Sequence, residues 1–291
     1  MSVTIGGKYE IIKQIGEGMY GKIFLAKNKI TLVEVAIKID STILLKNEAR
    51  IYNLFGNSPG IPKMRAFGKE GEYNYMVVDK LGLSLVDLKD NCGGAISLQT
   101  TILIGQQLIK RIETVHAKHI IHRDVKPENF LLGDTEKTNN VVYVIDFGLS
   151  KLYSIQGQHV DMLDGRTPIG TLDFISLNVH NGLTPSRRDD VESIGYILIY
   201  LLTGNLPWIE NEPAETPSSN SNQKDSVERK IYEIKKSCML WNIDKVIPSE
   251  FITFILYCRN LEYDETPDYT YLSNLLKNLF SMKKFSIENL L

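Results

Sequence analysis

The spacing of apolar residues changes along the chain and separates two kinds of secondary structure. Up to about residue 80, short runs with β-branched and aromatic members alternate with glycines and polar turns, which is typical of strands. The predicted strands are Tyr9–Ile15, Lys22–Asn28, Val33–Ile39, Ile61–Phe67 and Tyr73–Val78. One stretch, Ser41–Phe55, has near-helical spacing and predicts a helix with Ser41 or Thr42 near its N-cap.

Beyond Gly82 the apolar spacing becomes helical. One apolar face predicts a long helix that ends near His116, and Asp189–Leu202 is apolar enough to be a buried helix. Further helices are predicted at Val227–Ser237, Pro248–Asn260 and Tyr269–Phe280. The stretch Glu210–Ser226 lacks periodicity and predicts a surface loop. We therefore expect an α+β protein with a small sheet-rich lobe with one main helix at 1–81 and a larger helical lobe at 82–291.

Composition and charge narrow the classes of protein. The chain has 291 residues with 33 basic and 35 acidic side chains, so it carries no overall basic footprint for nucleic acid or anionic lipid. The spacing of Cys92, Cys238 and Cys258 fits neither a disulfide framework nor a zinc site. The N-terminus lacks a signal pattern, and the uncharged apolar runs are shorter than the roughly 20 residues that span a bilayer. We expect a cytoplasmic protein, present in the nucleus as well, with neither a nucleic acid nor a membrane as partner.

A glycine-rich segment lies between the first two predicted strands. The segment Gly16-Glu17-Gly18-Met19-Tyr20-Gly21 has the G-x-G-x-x-G spacing. By itself this spacing is weak evidence for a phosphate site, since an ordinary glycine hairpin can have the same sequence pattern. A dinucleotide site would need a helix after the glycines, whereas here a strand follows. A flap that covers phosphates is the better reading, because glycine lets the backbone approach phosphate oxygens.

The next strand carries a lysine. In Val35-Ala36-Ile37-Lys38 the period of two places Ala36 and Lys38 on one face, so that Ala36, with Ile23, could line an adenine slot. Glu48 in the following helix could pair with Lys38. Taken alone, the lysine would more often be a solvated edge charge, and Glu48 a surface partner for neighbouring charges.

The most specific segment is His122-Arg123-Asp124-Val125-Lys126-Pro127-Glu128-Asn129-Phe130-Leu131-Leu132. It is followed by the β-rich Val141–Ile145 and then by Asp146-Phe147-Gly148. With the glycine segment and Lys38, these motifs in this order resemble the eukaryotic protein kinases, which implies a bilobal kinase fold.

The resemblance implies a role for each matching residue. Asp124 would accept the proton of the substrate hydroxyl, and Lys126 would neutralise the moving phosphoryl group. Asn129 and Asp146 would hold Mg²⁺, whose preferred ligands are oxygens. Lys38 and Glu48 complete the implied catalytic set, with ATP and Mg²⁺ as cofactors. The implied nucleotide contacts are Ile15, Gly16, Glu17, Gly18, Gly21, Ile23, Ala36, Lys38, Val78, Asp79, Leu81, Leu131 and Ile145.

Segments of the C-terminal half narrow the resemblance to the casein kinase I family, over about residues 8–282. They are Ser186–Tyr196, Leu206-Pro207-Trp208, Cys258-Arg259-Asn260, Pro267-Asp268-Tyr269 and, where most kinases have Ala-Pro-Glu, Ser176-Leu177-Asn178. The family implies a monomeric Ser/Thr kinase that is active without phosphorylation, with Asp190 bracing the catalytic loop. A pseudokinase scaffold, a small-molecule phosphotransferase, and the tau-tubulin and vaccinia-related kinases are the alternatives.

Two positions bear on specificity. Where the family has Gly-Thr-Ala-Arg, this chain has Gly170-Thr171-Leu172-Asp173, so an acid replaces the base that helps bind a phosphate on the substrate. A preference for acidic or phosphorylated substrates is therefore doubtful, with Arg166 and Lys230 as remaining candidate cations. Val78 occupies the gatekeeper position at the back of the adenine site, and its small side chain predicts an accessible back pocket.

Overall fold

We describe the protein from a computed structural model, which covers residues 3–18, 21–209, 221–237 and 247–286. The strands, in chain order, are β1 Thr4–Ile5, β2 Tyr9–Gly18, β3 Gly21–Asn28, β4 Glu34–Asp40, β5 Met64–Glu70, β6 Tyr73–Asp79, β7 Ile120–Ile121, β8 Phe130–Leu132, β9 Val142–Val144, β10 Lys151–Leu152, β11 Ser154–Ile155 and β12 Gln158–His159. The helices are α1 Leu44–Phe55, α2 Leu85–Asn91, α3 Leu98–His116, α4 Leu177–His180, α5 Arg187–Thr203, α6 Ser221–Lys236, α7 Ser249–Asn260 and α8 Tyr269–Met282. A 3₁₀ turn covers Pro127–Asn129.

Contacts divide the described chain into two compact units. The first contains the residues up to Leu83 together with Phe130–Ser150, and the second contains the remaining described residues. These units group residues by contact, whereas the predicted lobes divide the chain at one point, so the lobe boundary after residue 81 stays a prediction.

The first unit is built on an antiparallel sheet of six strands in the order β1-β2-β3-β4-β6-β5. Because side chains alternate along each strand, one face is apolar and forms a core. That core contains Ile5, Tyr9, Ala26, Val35, Ile37 and Val77. Helix α1 lies in the same unit, as does the hairpin of β8 and β9.

The second unit is helical around α5. Most α5 side chains are buried, including the polar ones at its start. Gly195 on α5 has a packing role, because a Cβ there would lie 2.4 Å from Cγ1 of Ile255 on α7. Helix α5 ends at Gly204, whose φ of 85° is the left-handed conformation that favours glycine at a helix end. Helices α3, α7 and α8 complete this core.

The predicted elements of the sheet and the main helices are confirmed, with shifts at their ends. Helix α1 begins at Leu44, three residues later than predicted, and its N-cap is Ile43. Thr42, predicted near the N-cap, directly precedes it: its hydroxyl oxygen accepts from the Leu44 N–H at 3.2 Å, and its own N–H donates to Asp40 Oδ1 at 3.0 Å. The strand predicted from Ile61 begins at Met64, after Pro62, a residue without a backbone N–H to donate to a ladder.

The predicted loop at Glu210–Ser226 is wrong at its C-terminal end. Helix α6 begins at Ser221 rather than at Val227, while residues 210–220 lie outside the described residues. The stretch 221–226 contains no apolar residue, so it gave no periodic signal. Cys92 is exposed and Cys258 is buried, both as free thiols, and Cys238 lies outside the described residues. Among the described residues, no helix is both long enough and apolar enough to cross a membrane.

Candidate active site

Three charged side chains from distant parts of the sequence meet in the first unit. Nζ of Lys38 on β4 lies 2.8 Å from Oε2 of Glu48 on α1 and 2.9 Å from Oδ1 of Asp146, just beyond β9. The ion pair expected between Lys38 and Glu48 is therefore present, and Asp146 is joined to it. The two carboxylates fix the position of the ammonium through charge-assisted contacts.

The charges of this cluster are set by burial and by one another. Burial alone would lower the pKa of Lys38, but the negative charges of Glu48 and Asp146 outweigh it and raise that pKa to about 12. Burial raises the pKa of Glu48 to about 7, against the opposing attraction of Lys38. Lys38 is therefore a permanent cation at neutral pH, as a phosphate-binding lysine has to be.

The register of the sheet puts the predicted adenine-lining residues on one face. Ile23 pairs with Lys38, and Ala36 pairs with Val78, so these side chains lie on the face opposite the apolar core. The structure thus brings together four of the predicted nucleotide contacts within one sheet.

The glycine-rich segment forms the hairpin between β2 and β3, as predicted for a flap rather than a dinucleotide turn. Gly16 pairs with Ile23 and Gly18 with Gly21, while Met19 and Tyr20 lie outside the described residues. Gly21 is required by the fold itself, since its φ is +117° and a Cβ there would lie 2.3 Å from the Ile39 carbonyl oxygen. A Cβ on Gly16 would meet nothing nearer than 3.5 Å, so the fold does not explain that glycine. Ile15, at a register shift, and Glu17 are exposed.

The chain leaves β6 through the residues predicted to contact adenine. The N–H of Asp79 donates to the Lys63 carbonyl at 3.0 Å, so a contact between adenine and the backbone of Asp79 would use its carbonyl oxygen. After Leu81, Gly82 donates to the Leu132 carbonyl at 2.8 Å and joins this segment to β8. Leu131 on β8 and Ile145 after β9 are half-buried in the same unit.

Asp146 is held in an unusual backbone conformation. Its φ is +61°, a region that few residues other than glycine adopt and that is often found at functional sites. The next residue, Phe147, is buried against two aromatic rings of α1, with centroids 5.1 Å from Tyr52 and 4.8 Å from Phe55. This aromatic packing anchors the turn that presents Asp146. Sequence reasoning did not foresee it.

In the second unit, the loop 122–129 surrounds one carboxylate with donors. Oδ1 of Asp124 accepts from the N–H and the hydroxyl of Thr171, at 3.1 and 2.8 Å. Oδ2 of Asp124 lies 3.3 Å from Nζ of Lys126 and 3.1 Å from Nδ2 of Asn129. The predicted residues Asp124, Lys126 and Asn129 therefore meet, and Thr171 is a neighbour that the sequence did not reveal.

A second carboxylate braces the same loop from α5. Asp190 accepts from the backbone N–H groups of His122 at 2.6 Å and Arg123 at 2.9 Å, as the sequence predicted for it. It also accepts from Nε2 of His116 at 2.9 Å. Burial would raise the pKa of Asp190, but these donors and nearby charges outweigh it and lower that pKa. Arg123, whose N–H is bonded to Asp190, has a φ of +68°, which makes it a second strained position in the same loop as Asp124.

The segment 170–176 runs directly beside this loop. Gly170 has a φ of +105°, and a Cβ there would lie 2.6 Å from the Arg123 carbonyl oxygen, so only glycine fits. At the other end, Ser176 caps α4 and donates to Oδ1 of Asp189 at 2.6 Å. Both ends of the segment are therefore attached to elements that carry the candidate site.

The sheet with its Lys38 cluster and the helical unit with its Asp124 loop together define a phosphotransferase of two lobes. The family model for the protein kinase domain matches residues 9–276, which is most of the chain. The chain therefore belongs to the protein kinase family. This confirms the predicted α+β bilobal kinase fold. Membership of the family means the use of ATP and protein substrates, as the motifs indicated.

Proposed function

We propose that this protein kinase transfers the γ-phosphate of Mg-ATP to serine and threonine hydroxyls, and that it is of the casein kinase I type. The observation that carries the proposal is the geometry of Asp124. Its carboxylate has one oxygen on Thr171 and the other beside Lys126 and Asn129, so it is held ready in one orientation. A kinase needs such a positioned carboxylate to accept the substrate proton.

Asp124 and Lys126 are proposed to have different roles at the reacting atoms. In the proposed mechanism, Asp124 accepts the proton of the attacking hydroxyl. Lys126 is 3.3 Å from that carboxylate and supplies a positive charge where the phosphoryl group would move. Charge neutralisation is the main requirement of this reaction, because its loose transition state spreads negative charge over several oxygens.

The first unit is proposed to bind the nucleotide. Ile23, Ala36 and Val78 would contact the adenine on the face of the sheet opposite the apolar core, with Leu131 and Ile145. The backbone of Asp79 and Leu81 would bond its edge. Lys38, fixed by Glu48, would grip the phosphates, and Ile15, Gly16, Glu17, Gly18 and Gly21 would cover them. The mixed character of these groups, apolar for the base and charged for the phosphates, supports this assignment.

The proposed magnesium ligands fit the chemistry of that ion. The Asp146 side chain is 35% exposed and offers a carboxylate, while both hydrogen bonds of the Asn129 side chain use Nδ2, so Oδ1 accepts none from the described residues. Carboxylate and amide oxygens are ligands that Mg²⁺ prefers. When bound, the ion would neutralise phosphate charge.

The casein kinase I assignment is supported by what its distinctive residues do. Ser176, in the place of the usual Ala-Pro-Glu motif, is bonded to Asp189 on α5. Arg188 donates to the Leu261 carbonyl at 2.6 Å and Arg187 to Thr266 Oγ1 at 2.8 Å, so both tie α5 to the residues after α7. Ser176, Arg187 and Arg188, which match the casein kinase I family, therefore each attach α5 to a neighbouring segment.

The remaining properties follow from the proposed family. We infer a monomer that is active without phosphorylation and works in the cytoplasm and the nucleus, with neither a nucleic acid nor a membrane as partner. Arg123 could pair with a phosphate on Ser154, Thr167 or Thr171. Treatment with phosphatase should nevertheless leave the activity intact, and its loss would contradict this part of the proposal.

Transfer of radiolabel from ATP to casein tests the activity. The wild type should label serine and threonine, and Asp124→Asn should lose about 10²–10⁴-fold in kcat, which is the usual contribution of a general base. Phosphoamino-acid analysis distinguishes serine and threonine from tyrosine. Equal rates for both proteins, or the absence of any labelled protein, would contradict the proposal.

A further inference from the structure

A lysine outside the predicted site is buried beside the segment 170–176. Lys235 on α6 has no exposed surface, which is rare for a lysine. Its Nζ donates to the backbone carbonyls of Leu172 and Ile175, at 2.8 Å each. A buried ammonium costs free energy unless it is well bonded. Here the bonds go to the backbone of this segment.

Two aromatic rings complete the environment of this ammonium. Nζ of Lys235 lies 5.1 Å from the centroid of Tyr196 and 5.0 Å from that of Trp208, within the range of cation–π attraction. Trp208 also donates its Nε1–H to the Asp173 carbonyl at 3.1 Å. Carbonyls at 172, 173 and 175 are therefore held from one side by this group of side chains.

The held carbonyls are next to the residue that orients Asp124. Thr171 bonds Oδ1 of Asp124 through both its N–H and its hydroxyl, and Nζ of Lys126 donates to that hydroxyl at 2.9 Å. A shift of Leu172 would move Thr171 and the carboxylate together. A protein substrate that brings its hydroxyl to Asp124 would lie along this same segment.

The Lys235 side chain gains or loses its proton near neutral pH. Burial lowers its pKa to about 7, with the repulsion of Arg259 on α7 adding to the effect. Glu192 on α5 and Asp173 on the segment act in the opposite direction. On α4, burial and the charge of Lys235 both lower the pKa of His180. A neutral amine keeps N–H donors but loses the attraction of the cation for the carbonyl dipoles and the rings.

We propose that Lys235 is a positioning residue for the protein substrate, because its buried ammonium holds the segment 170–176 against the Asp124 loop. Loss of the proton would release the segment in part. This inference rests on the proposed kinase function and adds a determinant of substrate binding to it. It assigns no contact with ATP, since the held segment belongs to the second unit and the proposed nucleotide contacts belong to the first.

The test compares Lys235→Met with Lys236→Met, a matched change at the exposed neighbour on the same helix. Casein and Mg-ATP are varied separately. Lys235→Met removes both hydrogen bonds of the ammonium to the segment, so it should raise the KM for casein about tenfold or more and leave the KM for ATP unchanged. Lys236→Met should leave both constants at the wild-type values. Equal rises in both KM values for Lys235→Met, or no rise for casein, would overturn the inference.

The pH dependence tests the proton itself. In the wild type, the KM for casein should rise as pH increases through about 7, while in Lys235→Arg, which stays charged, it should not. If either variant fails to fold, as thermal unfolding would show, the ε-¹³C NMR shift of Lys235 in the wild type should still titrate near the same pH. A Lys235 that titrates only above pH 9 would overturn the proposal. An inactive wild type would instead refute the proposed kinase function, which keeps the two failures distinct.

Discussion

Nζ of Lys38 and Oε2 of Glu48 are 2.8 Å apart, and the Glu48 side chain is only 2% exposed. The ammonium of Lys38 therefore meets this carboxylate in an environment that water hardly reaches. Such a pair is less a source of net stability than a device that fixes one charge, since desolvation offsets most of the attraction. The fixed charge here is the lysine proposed to grip the phosphates.

Removing Lys38 should cost both activity and stability. In Lys38→Met, kcat/KM should fall by about 10²-fold or more, because a preorganised cation at the phosphates is lost. Burial already raises the pKa of Glu48 to about 7, and without Lys38 this carboxylate will protonate more readily. The loss of stability, about 1–3 kcal/mol for an unpaired buried group, should therefore shrink as pH falls from 8 to 6. Thermal unfolding of both proteins over this range checks it, and a constant difference would contradict it.

Much of this cluster could be predicted from sequence, because its residues belong to short motifs in a fixed order. Lys38, Glu48 and Asp146 were all named, and strand alternation correctly placed Ala36 beside Lys38. The reason is local: a period of two decides which side chains share a face, whatever the rest of the protein does.

Lys235 and Thr171 show where that reasoning stops. On α6, Lys235 is followed by Lys236 and looks like part of a solvated face. Its burial depends on carbonyls in a segment 60 residues away, which no local pattern encodes. The positive φ values are found where distant residues bond the chain: the Arg123 N–H donates to Asp190, and Asp146 is paired with Lys38.

The pKa values of two adjacent carboxylates on α5, Asp189 and Asp190, should be shifted in opposite directions from the ordinary value. Burial raises the pKa of Asp189 to about 6, despite its bonds to Ser176 and Ser186. For Asp190 the effect of burial is outweighed by its donors, above all His116, and the pKa is lowered. The free energy of unfolding due to Asp189 should fall as pH rises from about 4 to 6, because the folded state binds the extra proton there. That due to Asp190 should be lost as pH falls below about 4.

Carboxyl ¹³C NMR and unfolding of Asp189→Asn and Asp190→Asn separate these effects. Relative to the wild type, Asp189→Asn should remove the fall in the free energy of unfolding between pH 4 and 6. Asp190→Asn should lower the free energy of unfolding most at neutral pH. Similar titration of both carboxylates would show that the donors on Asp190 do not set its charge.

Val78 should control access to the space behind the adenine. It pairs with Ala36 on β4 and with Met64 on β5, so its side chain is flanked by neighbours on both sides. Val78→Phe should weaken ATP-competitive inhibitors that carry a bulky group at this position by about tenfold or more, since overpacking typically costs 1–3 kcal/mol. Inhibitors without that group serve as the control, and their potency should change little. Equal potency of the bulky inhibitors on both proteins would refute the prediction.

Asp173 should set the sign of substrate preference. Its carbonyl is held by Trp208, and it lies two positions after Thr171, which bonds the carboxylate of Asp124. A phosphate or acidic side chain on a bound substrate would meet this negative charge, so the wild type should favour neutral or basic neighbours of the target hydroxyl. Asp173→Arg should raise kcat/KM for acidic or phosphorylated peptides about fivefold, the scale of one solvent-screened charge contact. Asp173→Asn, which removes the charge without reversing it, should fall between the two on the same peptide array. If all three proteins rank the peptides alike, Asp173 does not read the substrate, and the preference must come from other charges on the second unit.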